Sequence, residues 1–516
     1  MSSKAHWELL VLGSALAMGV LADVLLRALP WGLNLCIWMT AFAAVVVMHV
    51  GARTESNAGA AGGIPAPAKP EALSVTGRWL PAAAALFALS FVWRDAPQLN
   101  LLSLLAIFTV LSWVMLEVQA GGIRRAGFVE YALGAAVAGL NAAFGVLPVL
   151  FGDVEWRKLA RGRASRQALA VARGALFALP CLLIFGGLFM AADAVFDHIV
   201  RQTFHIDLQK LLTHFFMVGF FAWLAGGYLR GILWGKEASL LKGRPLPAVS
   251  LGTTEGAVLL GALDLLFLAF ILVQVRTFFG GSTLVQATTG LTYAEYARRG
   301  FFQLVGVAAL LLPLLLLVHW LMAQRGAPGE RVFRLLAGLQ ILLLFVVMAS
   351  ALQRMRLYQA EYGLTQQRLY ATAFMGWLAV VFLWFAVSVL SGRRRRFAFG
   401  TALAGFALIV VLHFLNPDAL VARVNLERAK AGRSFDARYV TRLSADAVPE
   451  LVAALPDLNP QDRCSVSGAL LRRWGGEKPP DWRTWNWSNG TATRIVRERE
   501  SSLKAARCVE QPEPLH

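Results

Sequence analysis

Over residues 9–415 the chain alternates long apolar runs with short polar interruptions, and most runs have the length a membrane demands. A helix crossing about 30 Å of hydrocarbon needs roughly 20 predominantly apolar residues. Such runs occupy residues 9–29, 31–50, 79–93, 99–120, 128–151, 168–195, 211–233, 256–275, 301–322, 332–352, 370–390 and 397–415. They predict an all-α polytopic transmembrane helix bundle of about twelve spans. The first two meet at Pro30 and form an N-terminal hairpin over residues 1–50. Asp23 and Arg27 interrupt the first run and no small-residue cleavage site follows it, so it reads as a span and not as a secretory signal. Residues 51–76 are rich in Gly, Ala and Pro and read as a flexible linker to the main bundle at 77–415. From Asn416 onward charges return to ordinary soluble density and no spanning run recurs, so 416–516 reads as a small extramembrane helical domain. Within it, 446–455 and 465–474 carry apolar residues at three- and four-residue spacing, predicting short amphipathic helices.

Composition agrees with the pattern. The 516 residues are 57% hydrophobic and 16% charged, whereas soluble chains carry charges at about a quarter of their positions. That excludes a water-soluble globule and a disordered chain, and four cysteines cannot staple a protein of this length. A net charge of +18 would suit nucleic acid, but the basic residues punctuate apolar runs and form no single patch. They read as membrane flanks, so the lipid bilayer is the expected partner and nucleic acid is not.

The charges also predict orientation. On a twelve-span count, the loops after the fifth, seventh, ninth and eleventh runs share one side. They hold Arg157, Lys158, Arg161, Arg163 and Arg166, then Arg230, Lys236, Lys242 and Arg244, then Arg325, Arg331 and Arg334, and finally Arg393 to Arg396. Positive charge marks the cytoplasmic side. Both termini then face away from it, and the tail is expected in a periplasm or outside the cell. Cys464 and Cys508, the two tail cysteines, form a disulfide there or remain two separate thiols; spacing does not choose. Arg423, Arg428, Lys430, Arg433 and Arg438 follow the last run closely and favour the opposite orientation.

Several stretches carry a family resemblance: LTYAEYARRGFFQL at 291–304, SALQRMRLYQAEYGLTQQRLYA at 350–371, NPDALVARVNLERA at 416–429 and LSADAVPELV at 443–452, with a looser likeness over 173–230 and in RDAP at 94–97. The chain resembles a family of bacterial inner-membrane proteins defined only as a domain of unknown function. The resemblance implies a polytopic protein of the bacterial inner membrane, and it implies no catalytic or binding residues.

Motifs of soluble enzymes are missing: no Gly-rich loop ending in Lys-Ser/Thr, no His-Glu-x-x-His, no Cys-x-x-Cys, no Gly-x-Ser-x-Gly. This weighs against an ATP-driven pump or a zinc protease of standard design. No cofactor is implied. Ionisable groups inside apolar runs are costly and mark sites by default. Asp264 lies near the middle of its run and is the candidate intramembrane coupling residue, binding a proton or a cation; its bland alternative is a carboxylate bonded to a neighbouring helix. Asp23 and Arg27, four apart, are expected to neutralise each other. His214, His319 and His413 fall near run ends and read as interfacial imidazoles, and none has a partner at metal-ligand spacing, so no metal site is expected.

A second candidate is positional. Polar residues concentrate in the segments joining runs six to seven, eight to nine and ten to eleven, and at the start of the tail. These are Asp193, Asp197 and His198; Glu295, Arg298 and Arg299; Arg354, Arg356, Tyr358, Glu361, Tyr362 and Arg368; and Asn416 with Asp418. Glu295 is within helical pairing reach of Arg298 and Arg299, and Arg354, Tyr358 and Glu361 or Tyr362 share one helical stripe. This rim reads either as a pocket for an anionic solute or lipid headgroup, or as helix-end salt bridges and aromatic anchors that dock the tail. Trp482, Trp485 and Trp487 are expected to form the core of the tail, the alternative being exposed rings that lie in the headgroup region or hold a partner. Three functions compete: a transporter or permease-like protein for a small or lipidic anionic solute, a non-catalytic scaffold or envelope-assembly partner acting through the tail on another envelope protein, and an intramembrane lipid or glycan transferase.

Overall fold

The structure, a computed structural model, describes residues 3–59, 75–150, 208–234, 251–279, 293–322, 326–476 and 481–506, with isolated positions between 167 and 198. Among the described residues there is no strand. Nine helices there are long and apolar enough to cross a membrane, and two shorter apolar helices, Trp79–Trp93 and Phe128–Phe144, accompany them. In chain order they are α1 (Ser3–Leu26), α2 (Leu33–Gly59), α3 (Val75–Trp93), α4 (Pro97–Gln119), α5 (Phe128–Phe144), α6 (Leu208–Trp234), α7 (Thr253–Phe279), α8 (Tyr293–Met322), α9 (Gly326–Tyr362), α10 (Gln366–Ser388) and α11 (Phe397–Leu415).

The apolar faces build two cores. One joins α1 to α6, with Val46, Phe91, Trp113, Tyr228 and Leu229 buried in it. The other joins α7 to α10 and the start of α11 around Leu260, Phe301, Phe333, Leu344 and Phe382. Lipid chains are as apolar as these side chains, so close packing holds the helices together. At Gly19 a methyl group would collide with the Val218 carbonyl, and at Gly227 with that of Asn141. These contacts let α1 and α5 lie against α6.

The tail supplies α12 (Pro417–Lys430), α13 (Val448–Ala454), α14 (Pro460–Trp474), α15 (Trp487–Glu498) and α16 (Glu500–Ala505). Its own core contains Val421, Val448, Leu451, Val466, Leu470, Ala492 and Val496. The expected helices at 446–455 and 465–474 correspond to α13 and to the latter part of α14.

Two ends of the bundle can be told apart. The tail covers the end where α1 stops, α2 starts, α3 turns into α4, and α9 turns into α10. The opposite end carries the arginines: Arg125, Arg393, Arg394, Arg395 and Arg396 line one hollow of about 570 Å³.

Three expectations change. The count of twelve spans is not confirmed by the nine long and two short apolar helices described, and the predicted run at 168–195 lies largely outside the described residues. The termini do not share a side. Asp23, near the end of α1, meets His214 near the start of α6, and Ala15 lies beside Gly226, so α1 begins at the arginine end and the tail sits at the other. Opposite ends require an odd number of crossings. Finally, α2 runs on to Gly59 and α3 starts at Val75, so the described ends of the predicted linker segment are helical, while 60–74 lies outside the described residues. Extending an existing helix fixes one residue per added hydrogen bond, so a polar stretch can continue what an apolar one nucleates.

Candidate functional site

At the tail end, side chains from distant segments meet on one carboxylate. Asp446 is 4% exposed. It accepts from Arg94 Nη1 at 3.1 Å, the Asp95 backbone N–H at 2.9 Å, Ser444 Oγ at 3.2 Å and Ser488 Oγ at 2.6 Å. Arg94 also donates through Nε to the His413 carbonyl at 2.9 Å, and its guanidinium lies 4.5 Å over the Trp93 ring. Asn486 caps α15 through its side-chain oxygen while its nitrogen donates to the Phe91 and Arg94 carbonyls at 2.7 and 2.9 Å. Asp418 is fully buried, accepting from Ser444 N–H at 2.9 Å and Gln366 Nε2 at 2.6 Å. A carboxylate with four donors has no capacity left for chemistry; these groups lock the tail to the bundle.

Asp95 differs from them. Burial pushes its carboxyl above the ordinary range, the hydrogen bond from Ala445 N–H offsets part of this, and the Asp446 charge adds to it.

The turn between α9 and α10 is fastened next. With 37 residues α9 is longer than a bilayer requires, about 55 Å at 1.5 Å per residue, so its last turns project from the membrane. Arg428 of α12 donates to the carbonyls of Gln359, Ala360 and Glu361, capping that end. Asn425 pairs with both backbone groups of Leu364, at 2.7 and 3.1 Å.

Beside this turn opens a cleft of about 880 Å³ lined by Phe302, Gln303, Tyr358, Thr365, Gln366, Gln367, Arg368 and Tyr439. The Arg368 guanidinium stacks 4.0 Å over the Tyr358 ring, and Nη1 donates to the carbonyls of Tyr362 and Gly363. Among the described residues its Nε and Nη2 have no protein acceptor. Gln366 N–H donates to Tyr439 Oη at 2.8 Å, so the tail closes one wall. A stacked guanidinium, a helix start and two glutamines at a membrane boundary suit an anion.

The structure sorts the predicted rim. Tyr358 and Arg368 meet at the cleft, and Tyr362 packs edge-on against Tyr358 at 5.1 Å. Arg354 turns inward, 5% exposed, and donates to Gln274 Oε1. Arg356 and Glu361 are exposed, Glu361 lying 3.9 Å from Arg433. Asp193 and His198 are exposed, with Asp193 Oδ1 accepting from Val195 N–H at 2.7 Å. Asp197 and the side chains of Glu295, Arg298 and Arg299 lie outside the described residues, although the latter three fall on α8. Asp264 is 5% exposed inside α7. Cys464 is disulfide-bonded, whereas Cys508 lies outside the described residues. Among the described residues no cluster of three or more His, Cys, Asp or Glu is placed to hold a metal.

Two readings are corrected. Trp482, Trp485 and Trp487 are 58%, 45% and 59% exposed, not the tail's core. Their segment is tied to the α1–α2 turn by Trp485 O accepting from Leu33 N–H at 3.0 Å and by Arg483 donating to the Val24 carbonyl at 2.8 Å. That places the rings at the membrane boundary, where aromatic rings concentrate. His214 has a partner that spacing did not reveal: Asp23 Oδ2 at 2.5 Å, with Arg27 Nη1 2.7 Å from Nε2, while Arg27 and Asp23 stand 3.8 Å apart.

The apolar helices and the keyed tail together define a multi-pass integral membrane protein whose extramembrane domain is part of the bundle. The chain belongs to the family described as Domain of unknown function (DUF4153), whose model matches residues 82–454. The matched range takes in Arg94, the α9–α10 turn, Asp418 and Asp446. No curated protein and no solved structure matches the chain.

Proposed function

We propose that the protein is a permease-like protein of a bacterial inner membrane that takes an anionic solute or lipid headgroup in the cleft between bundle and tail. The supporting observation is Arg368, which lines the cleft with its guanidinium over the Tyr358 ring and only Nη1 engaged by protein carbonyls. Such a fork recognises phosphate or carboxylate in two-pronged fashion, which a lysine cannot copy. The arginine hollow at the opposite end supports a cytoplasmic assignment for that end. The tail is then extracytoplasmic, a reading that the disulfide at Cys464 also favours, and Cys508, the other tail cysteine, is its proposed partner. On this reading the N-terminus is cytoplasmic.

Proteoliposome flux tests the proposal. Arg368→Ala protein that still folds is expected to lose uptake of a phosphate-bearing short-chain lipid at least about tenfold, and Arg368→Lys is expected not to restore it. Equal flux in all three proteins refutes the permease reading. A scaffold role draws support from one observation, the three exposed tryptophans on the tail. Capture of an envelope protein by the full chain, lost in a Trp482→Ala, Trp485→Ala double variant, would favour it.

A further inference from the structure

Two buried polar side chains at mid-membrane have no partner, and they lie at the same level. Asp264 of α7 is 5% exposed and Gln340 of α9 is fully buried. Among the described residues neither carboxylate oxygen of Asp264 and neither amide atom of Gln340 makes a hydrogen bond.

Their level follows from the helix register. Leu251, just before α7, donates to the Leu321 carbonyl at the end of α8, and His319 packs against Phe333 at the start of α9. Helices α7 and α9 therefore both start at the arginine end and run in the same direction. Nearer the tail, Ser350 Oγ of α9 donates to Gln274 Oε1 of α7 at 3.3 Å. Ten residues back along each helix from that bond, about 15 Å at 1.5 Å per residue, lie Asp264 on one and Gln340 on the other. Leu260 and Phe267 flank Asp264, and Ala337, Ile341 and Leu344 flank Gln340, all within one apolar core. The apolar span of α7 is Thr253–Gln274, which puts Asp264 at its centre.

Among the described residues no charge on α7 or on the helices packed against it compensates Asp264. Between residues 256 and 273 it is the one ionisable side chain on α7; α8 has none between 300 and 318, and α9 none between 335 and 353. An ionised carboxylate in apolar surroundings with neither cation nor donor is strongly disfavoured, and taking up a proton removes the charge. Two carboxylate oxygens are also too few for a dehydrated metal cation, since hard cations take about six oxygens.

We propose that Asp264 is an intramembrane proton-binding site. The site stands apart from the cleft and does not depend on any solute binding there.

Dicyclohexylcarbodiimide enters the bilayer and reacts with protonated carboxyls, so it reads the site directly in the full chain held in lipid nanodiscs. Peptide mass spectrometry is expected to find Asp264 labelled at acidic and neutral pH, with labelling falling at least about tenfold toward strongly alkaline pH as the proton leaves. Asp264→Asn should abolish the label. Arg368→Ala should leave the profile unchanged, which separates this site from the cleft. The proposal is overturned if folded wild-type protein is unlabelled at Asp264 at every pH, or if its labelling does not fall toward alkaline pH.

Discussion

Asp446 accepts a hydrogen bond from Arg94, 352 positions earlier in the chain, and three more from Asp95, Ser444 and Ser488. Nothing local in the sequence marks it, because its apolar neighbours show only that a short helix is near. Removing one member of a buried ion pair strands the other, a loss of roughly 3 kcal/mol or more. Asp446→Ala is therefore expected to lower the thermal midpoint of the detergent-solubilised protein and to expose the tail to protease; an unchanged midpoint would show that the junction is not held this way. Asp95 allows a test by pH. Its folded-state carboxyl is raised by burial, so the folded protein binds this proton more tightly than the unfolded chain. The resulting penalty is absent below the ordinary carboxylate range and complete once pH exceeds the raised value. Asp95→Asn should then raise the thermal midpoint at neutral and alkaline pH, with the difference vanishing as pH falls through the carboxylate range. A difference independent of pH would contradict the assignment.

At the scale of elements, run length made the helices legible, since hydrocarbon thickness dictates length whatever the neighbours are. What a run does beyond the membrane was not legible. The extension of α9 past Leu352 carries Tyr358 and Tyr362, and it is capped by Arg428 from a helix of the tail. Replacing Arg428 with Ala should speed hydrogen exchange over residues 356–368 severalfold, because carbonyls of the last turn lose their donors. Unaltered exchange there would mean the turn holds itself. The tryptophans at 482–487 show the opposite limit: aromatic density alone cannot distinguish a core from a membrane-boundary anchor, and only the bonds to Val24 and Leu33 decide it.

For the molecule as a whole, four of the stretches carrying the family resemblance converge in space. RDAP at 94–97, the α9–α10 turn, Asp418 and Asp446 all meet where the tail covers the bundle. Those stretches are legible in the sequence but their meeting is not, because hydrogen-bond partners hundreds of residues apart leave no periodic trace. The side on which each terminus lies is not legible either, since each side assignment inherits every earlier crossing. Reporter fusions at the N-terminus and after Leu455 should now report opposite sides of the membrane. The central claim, that the cleft beside Arg368 holds an anion, is met most directly by native mass spectrometry of the purified protein with a short-chain phosphatidic acid. Wild-type protein should retain bound lipid, and Arg368→Ala should lose it by about tenfold or more in affinity while Arg356→Ala, exposed outside the cleft, keeps it. Equal retention by wild type and Arg368→Ala would contradict the account.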